Sequence, residues 1–181
     1  MRGAGRLRGL GLATLGVVVA LVATAPAGAT TVYARDAKEP TLVARVNDAR
    51  AAHGLRRLRV SARLKKAATR HANQMASRGY FRHELLSDGA WKEFGRWISW
   101  YWPGTDFSSW SAGENLAWGT PDLGPRATLR MWMNSAPHRA NVLGHWGSIG
   151  VAMVHVVNPT GVYADHHEVT LAVAEFGRRS G

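Results

Sequence analysis

Three polar residues stand out for their type and surroundings. His83 follows the aromatic pair Tyr80-Phe81 where a helical pattern ends. Glu114 lies between Gly113 and Asn115 in a stretch with little other charge. His138 sits in a run in which Trp132, Ser135, His138, Arg139, Asn141, Val142 and Leu143 are the notable positions. Two imidazoles and a carboxylate offer nitrogen and oxygen donors, a mix that suits zinc, and three protein ligands would leave a position open for water or substrate. The same three residues can instead form a hydrogen-bonded network that holds a cleft closed, because buried polar groups need partners. They are 31 and 24 positions apart, so only a fold can bring them together.

Other candidates are weaker. Ser135 and His138, at i and i+3, share a helix face. No third group is placed to orient the histidine and no oxyanion hole is evident, so Ser135 reads as a cap or hydrogen-bond partner. His166, His167 and Glu168 are adjacent, and adjacent residues of a strand point to opposite faces; they read as a loop. His71 lies on the apolar face of a helix with Leu64, Ala67, Ala68 and Met75 and reads as a core or edge histidine. The chain has no cysteine, which excludes thiol chemistry and cysteine-based zinc sites.

The elements that must position these residues change character along the chain. Pro40-Thr41 opens a helical pattern that ends at Gly54. Ser61 is a good N-cap for a second helix reaching about Arg78, with Gly79 as its C-terminal glycine. Residues 84–112 form a long irregular segment with five of the eight tryptophans, Trp91, Trp97, Trp100, Trp102 and Trp110. Lys92 to Trp102 has room for a short helix, which Pro103-Gly104 breaks. The segment is too aromatic for disorder, and long loops in compact domains are usually functional. Within it Trp97, Trp100 and Trp102 are the candidate specificity residues. Pro125 suits the first turn of a third helix ending near Asn134, and Pro137 to Leu143 is a loop or short helix. Ile149, Val151, Met153, His155 and Val157 then alternate, as do Val169, Leu171 and Val173, which predicts an antiparallel pair of strands. Helices first and strands later give an α+β class, with helices covering an antiparallel sheet.

The N-terminus reads as a secretory leader over residues 1–29. Arg2, Arg6 and Arg8 precede an apolar run from Leu10 to Ala23, and Ala27-Gly28-Ala29 supplies the small residues of a cleavage site. The run is about 14 residues, short of the roughly 20 that span a bilayer, although retention as an anchor is the alternative. Residues 30–39 read as a linker and 40–181 as the domain, with no later membrane span. Without the leader the chain keeps 20 Lys+Arg against 12 Asp+Glu, a formal charge of +8. That balance favours anionic partners such as cell-wall polymers or acidic lipid. No nucleic-acid-binding motif or dense basic run is present, so no nucleic acid is expected. A secreted domain of this size can be stable on core burial without disulfides.

Five short segments resemble one family. Asn47-Asp48 with Arg50, followed by His53-Gly54-Leu55, is similar to the opening helix of CAP-superfamily (SCP-like) domains. Tyr80-Phe81 with His83 resembles the family's F-S-H. Gly113-Glu114-Asn115-Leu116-Ala117 is similar to its G-E-N-[IL]-A. Trp132 to Leu143 resembles the bacterial W-x-x-S-x-x-H-R-x-N-[IL]-L pattern, and Ile149-Gly150-Val151-Ala152 the strand after it. The resemblance covers roughly residues 41–177 and implies the cysteine-free bacterial type. It implies an α-β-α sandwich with a central antiparallel sheet. It also implies a cleft carrying two histidines and acidic residues, which in relatives binds divalent metal. His83, Glu114 and His138 take those places, with Asn115 and Ser135 beside them. Where the eukaryotic pattern has a second glutamate, this chain has Asn134 and Ser135. Before the final Phe176-Gly177, Val173-Ala174-Glu175 replaces the usual polar T-Q.

The expectation is a secreted, extracellular or cell-wall-associated monomer. It binds an apolar or cell-envelope ligand, lipid or wall polymer, at the His83–Glu114–His138 cleft without catalysis and without a required cofactor. Two alternatives stand beside it. One is a metal-assisted hydrolase of the envelope with zinc held by His83, His138 and Glu114. The other is a structural or interaction module with no small ligand.

Overall fold

A computed structural model of the chain describes residues 28–34 and 37–181. The expected leader, apart from its last two residues, lies outside the described residues. Strand β1 (Thr31–Ala34) precedes helix α1 (Glu39–Ala52), strand β2 (Arg59–Val60) and helix α2 (Ala62–Arg78). A small hairpin, β3 (Leu85–Ser87) with β4 (Ala90–Lys92), leads to helix α3 (Phe94–Ile98) and the long strand β5 (Ser109–Gly119). Helices α4 (Pro125–Asn134) and α5 (Ala136–Val142) follow, then strands β6 (Ser148–Val157) and β7 (Glu168–Ser180), with a 3-10 turn at Gly161–Tyr163 between them.

The main sheet runs β1-β6-β7-β5, with β2 pairing alongside β6 in parallel and the other pairs antiparallel. Alternation along the central strands builds two cores. Val151 and Met153 of β6 and Ala172, Ala174 and Phe176 of β7 pack with Leu42 and Val46 of α1, Trp132 of α4 and Val142 of α5. Ala152 and Val154 with Leu171 and Val173 pack against Ala68, Ala72, Met75 and Ala76 of α2. Helices thus cover both sheet faces, the expected α-β-α sandwich.

Local chemistry explains the helix that carries the site. Ser61 is in extended backbone and accepts the amide of Leu64 at 3.4 Å, as an N-cap does. Gly79 ends α2 in the left-handed region at φ 66, and a Cβ there would strike the backbone of Thr160. At Gly150 on β6, an added Cβ would fall 2.1 Å from the backbone of Leu64 and Lys65. Helix α2 therefore rests directly on the sheet at this point.

Two expectations need correcting. Thr31–Ala34, read as linker, is an edge strand registered against Val154–Val157. The segment after Gly79, expected to be irregular apart from a short helix, holds β3, β4, α3 and the first part of β5. Trp97 and Ile98 are its anchors, fully buried with Leu64, Ala67 and Leu85.

Candidate functional site

The site is organised by β5, an outer strand of the main sheet. Successive residues of a strand point to opposite faces, so Glu114 and Asn115 serve two different layers. Glu114 is 5% exposed and turns toward α2. Its Oε2 bonds Nδ1 of His71, and its Oε1 bonds Nδ1 of His83, both at 2.6 Å. Both carboxylate oxygens are thereby engaged. As an ionised acceptor, Glu114 selects the Nδ1–H form of both rings. That leaves Nε2 of His71 buried with no partner, while the His83 side chain is 54% exposed.

Asn115 builds the opposite layer. Its Nδ2 donates to the carbonyl of His138 at 2.9 Å, and its Oδ1 accepts from Nδ2 of Asn141 at 2.9 Å. Asn141 also donates to the carbonyl of Glu114 at 2.9 Å. These bonds fasten α5 to β5 through backbone groups and leave the half-buried imidazole of His138 out of the network. Ser135 joins α4 to α5 in extended backbone and makes no side-chain cap bond.

Electrostatics divide the groups. Burial pushes the Glu114 carboxyl up, but hydrogen bonds from His71 and His83 outweigh it and hold the group below its ordinary value. The bond to Glu114 raises His83 despite its partial burial. Burial lowers His138, and the nearby charge of His83 lowers it further. The two imidazoles are therefore close enough to repel when both are protonated.

A fourth member was not foreseen. Glu175 of β7 is the register partner of Glu114 and is fully buried. Burial, then the charge of Glu114, pushes its carboxyl well above the ordinary range, so it stays protonated. Ligand atoms of His71, Glu114 and Glu175 lie within 4.8 Å of one another, the one such group among the described residues. His83, Glu114 and His138, expected to share a metal, do not form such a group there. The physical reason is the strand geometry: Glu114 points away from the α5 side, and both its oxygens are engaged by imidazoles. Were His83 and His138 to hold a divalent ion, Glu114 would sit behind His83 as the carboxylate that orients the ring. Two imidazoles alone fall short of the three protein ligands usual at a catalytic zinc, so no metal-dependent step follows from this arrangement.

The aromatic expectation also divides. Trp97 is fully buried, donates Nε1 to the carbonyl of His83 at 2.9 Å and meets His71 edge-on at 4.9 Å. Trp102 is 7% exposed beneath the guanidinium of Arg179, 3.6 Å away. Trp97 therefore positions the site from within, and both rings are buried. Trp100 is 47% exposed. His71 is in the core as expected, but its bond to Glu114 makes it part of the site. The His166-His167 pair is a bend leading into β7, and Glu168 bonds Nε2 of His155 at 3.0 Å.

The profile of the cysteine-rich secretory protein family, CAP, matches residues 43–164. The chain belongs to the CAP family. Its CAP domain is 32% identical over 123 residues to the uncharacterized protein YkwD of Bacillus subtilis (strain 168), covering 65% of this chain and 43% of that protein. Among solved structures it is similar to an extracellular protein containing an SCP domain from Bacillus anthracis str. Ames. There the TM-score is 0.59 and the identity 26%, over 80% of this chain and 41% of that one. It also shares its fold with an outer surface protein of Borrelia burgdorferi, at TM-score 0.62 and 20% identity over 83% of this chain and all of that one. The chain spans less than half the length of the two Bacillus relatives. No helix among the described residues is long and apolar enough to cross a membrane.

Proposed function

We propose that this CAP-family chain is a secreted protein of the cell envelope. It binds an envelope ligand without catalysis, through the aromatic segment that separates His83 from Glu114. The observation that carries this is Trp100. It stands 47% exposed and, with Tyr101, Pro103, Arg63 and Lys66, lines an open groove of about 370 Å³. A tryptophan face next to cations suits the sugar rings of an anionic glycan, with the indole covering the apolar face and the cations meeting acidic groups. The Arg- and Ala-rich leader and the extracellular and outer-surface relatives support export.

In this reading the His71–Glu114–His83 network is a scaffold. It fixes the point where the chain leaves α2 and returns as β5, and so fixes the two ends of the aromatic segment. Titration with soluble peptidoglycan fragments and with fatty acids tests the proposal. Trp100→Ala should weaken the binding of one of these at least about tenfold, the scale of a buried aromatic anchor. Unchanged affinity for every ligand bound by the wild type would remove this groove from consideration. The hydrolase alternative requires His83 and His138 to recruit zinc without Glu114. A protein that remains metal-free after dialysis against zinc, with no hydrolysis of wall fragments, excludes it.

A further inference from the structure

A second concavity lies where β7 ends, and its lining shares no residue with the imidazole cleft or the Trp100 groove. Arg50, Arg56, Arg59, Arg178, His145 and Trp146 are prominent in a cleft of about 590 Å³ that no acidic residue lines. Three separate elements bring these cations together. The turn after α1 supplies Arg56, β2 supplies Arg59, and the end of β7 supplies Arg178. Alternation along β7 turns Arg178 to the same face as Phe176, on which Trp146 stacks at 6.1 Å. Arg179 also borders the cleft, but its guanidinium lies over Trp102.

The floor is built. Arg50 is only 2% exposed. Its Nη1 donates to the carbonyls of Val142 and Gly144, both at 2.8 Å, and its Nε to the carbonyl of Arg56 at 3.1 Å. One guanidinium therefore ties the turn carrying Arg56 to the end of α5. The cations above it are unneutralised. Arg56, Arg59 and Arg178 are exposed, and none is ion-paired among the described residues. Neighbouring Arg57, by contrast, pairs with Asp48 at 3.3 Å.

Like charges held in one concavity repel, and an anion seated among them offsets that repulsion. Guanidinium groups present planar pairs of N–H donors that match phosphate oxygens. The volume is that of a small-molecule site and accommodates more than one oxyanion group. We propose that this cleft binds a multiply charged phosphate ligand, either free or carried by a larger envelope molecule.

Calorimetric titration of the whole chain with inorganic tripolyphosphate is the test. The wild type should bind, and more weakly as salt rises. The double variant Arg56→Ala/Arg178→Ala should lose at least tenfold in affinity. Arg56→Lys/Arg178→Lys should recover part of it, since lysine keeps the charge without the planar fork. Arg57→Ala should match the wild type. All these positions are exposed, and Arg59→Gln offers an independent weakening at the same cleft. Sedimentation with phosphatidylglycerol vesicles identifies the source. Vesicle binding that the double variant abolishes supports a lipid-borne phosphate, and tripolyphosphate binding without vesicle binding supports a soluble or polymer-borne one. No tripolyphosphate binding by the wild type, or equal weakening by Arg57→Ala and by the double variant, overturns the proposal.

Discussion

Glu114 and Glu175 face one another across β5 and β7, both buried, yet they are held in opposite protonation states. Glu114 is on the outer strand β5 and Glu175 on β7, paired on both sides, and the two are register partners on one sheet face. The difference is that Glu114 receives two imidazole N–H donors and Glu175 receives none of ordinary geometry. Burial alone makes a carboxyl neutral, whereas two directed donors are enough to reverse it. Two charged carboxylates side by side in this core would repel strongly, so ionising one helps keep the other protonated.

The severest way to break this pairing is Glu114→Ala. It leaves His71 buried without an acceptor, frees His83 and opens a cavity. We expect a loss of about 3–5 kcal/mol in denaturant unfolding, the range for removing one partner of a buried charged pair. A loss below about 1 kcal/mol would show that the network does not organise the fold. Trp97→Phe comes next, at about 1–3 kcal/mol, because it removes the donor to the His83 carbonyl and part of a packed ring. In that variant the histidine ring resonances should move for both His71 and His83; a shift of neither would separate Trp97 from the site.

Glu175→Gln sharpens the comparison by mimicking the neutral acid. Its cost should stay within about 1 kcal/mol near neutral pH. Its clearer signature is pH dependence. The folded chain keeps the Glu175 proton above the ordinary carboxyl value of 4.5, where the unfolded chain has lost it. The contribution of Glu175 is therefore full below that value and declines as pH rises toward the folded pKa. Glu114 has the opposite sign: its contribution is present above the ordinary range and is lost as pH falls through its lowered value. As pH rises from the ordinary carboxyl value of 4.5 toward the folded pKa, stability should fall less steeply in Glu175→Gln than in the wild type. Parallel curves would mean that Glu175 is not held protonated. The smallest effect belongs to His83→Asn. This half-exposed partner should cost no more than about 1 kcal/mol. The wild-type advantage should be present below the ordinary imidazole value of 6.5 and fade as pH rises through the raised value in the fold.

Local signals in the sequence carried far. Ser61 and Gly79 bound α2 and Pro125 opens α4 as expected, because caps and prolines act within one turn. The alternation of β6 and β7 was equally visible. The family segments placed His83 and Glu114 together correctly. Strand β5 was hidden, since Gly113-Glu114-Asn115 interrupts any apolar alternation. The direction of Glu114 was therefore hidden too: both its oxygens are taken by His71 and His83, and His138 is tied to β5 only through its backbone carbonyl. His71 looked like core because its partner lies 43 residues away. Glu175 gave one unread signal: an acid in a strand whose neighbours are all apolar needs either a donor or a proton. The tryptophans were legible as a cluster but not as two populations, because burial depends on α2 and β7 packing over Trp97 and Trp102.

Gly150 also serves as a mechanical part. Helix α2 meets β6 backbone to backbone there, and His71 rides on the same rigid rod about two turns, roughly 10 Å, farther along. A methyl group inserted at Gly150 would act as a wedge under one end of that rod. Tilt at the wedge becomes displacement at the histidine, and the 2.6 Å bond to Glu114 has little slack before it ceases to be a hydrogen bond. The alignment of the polar network is thus set by a residue with no side chain, on the strand that contributes none of its donors or acceptors.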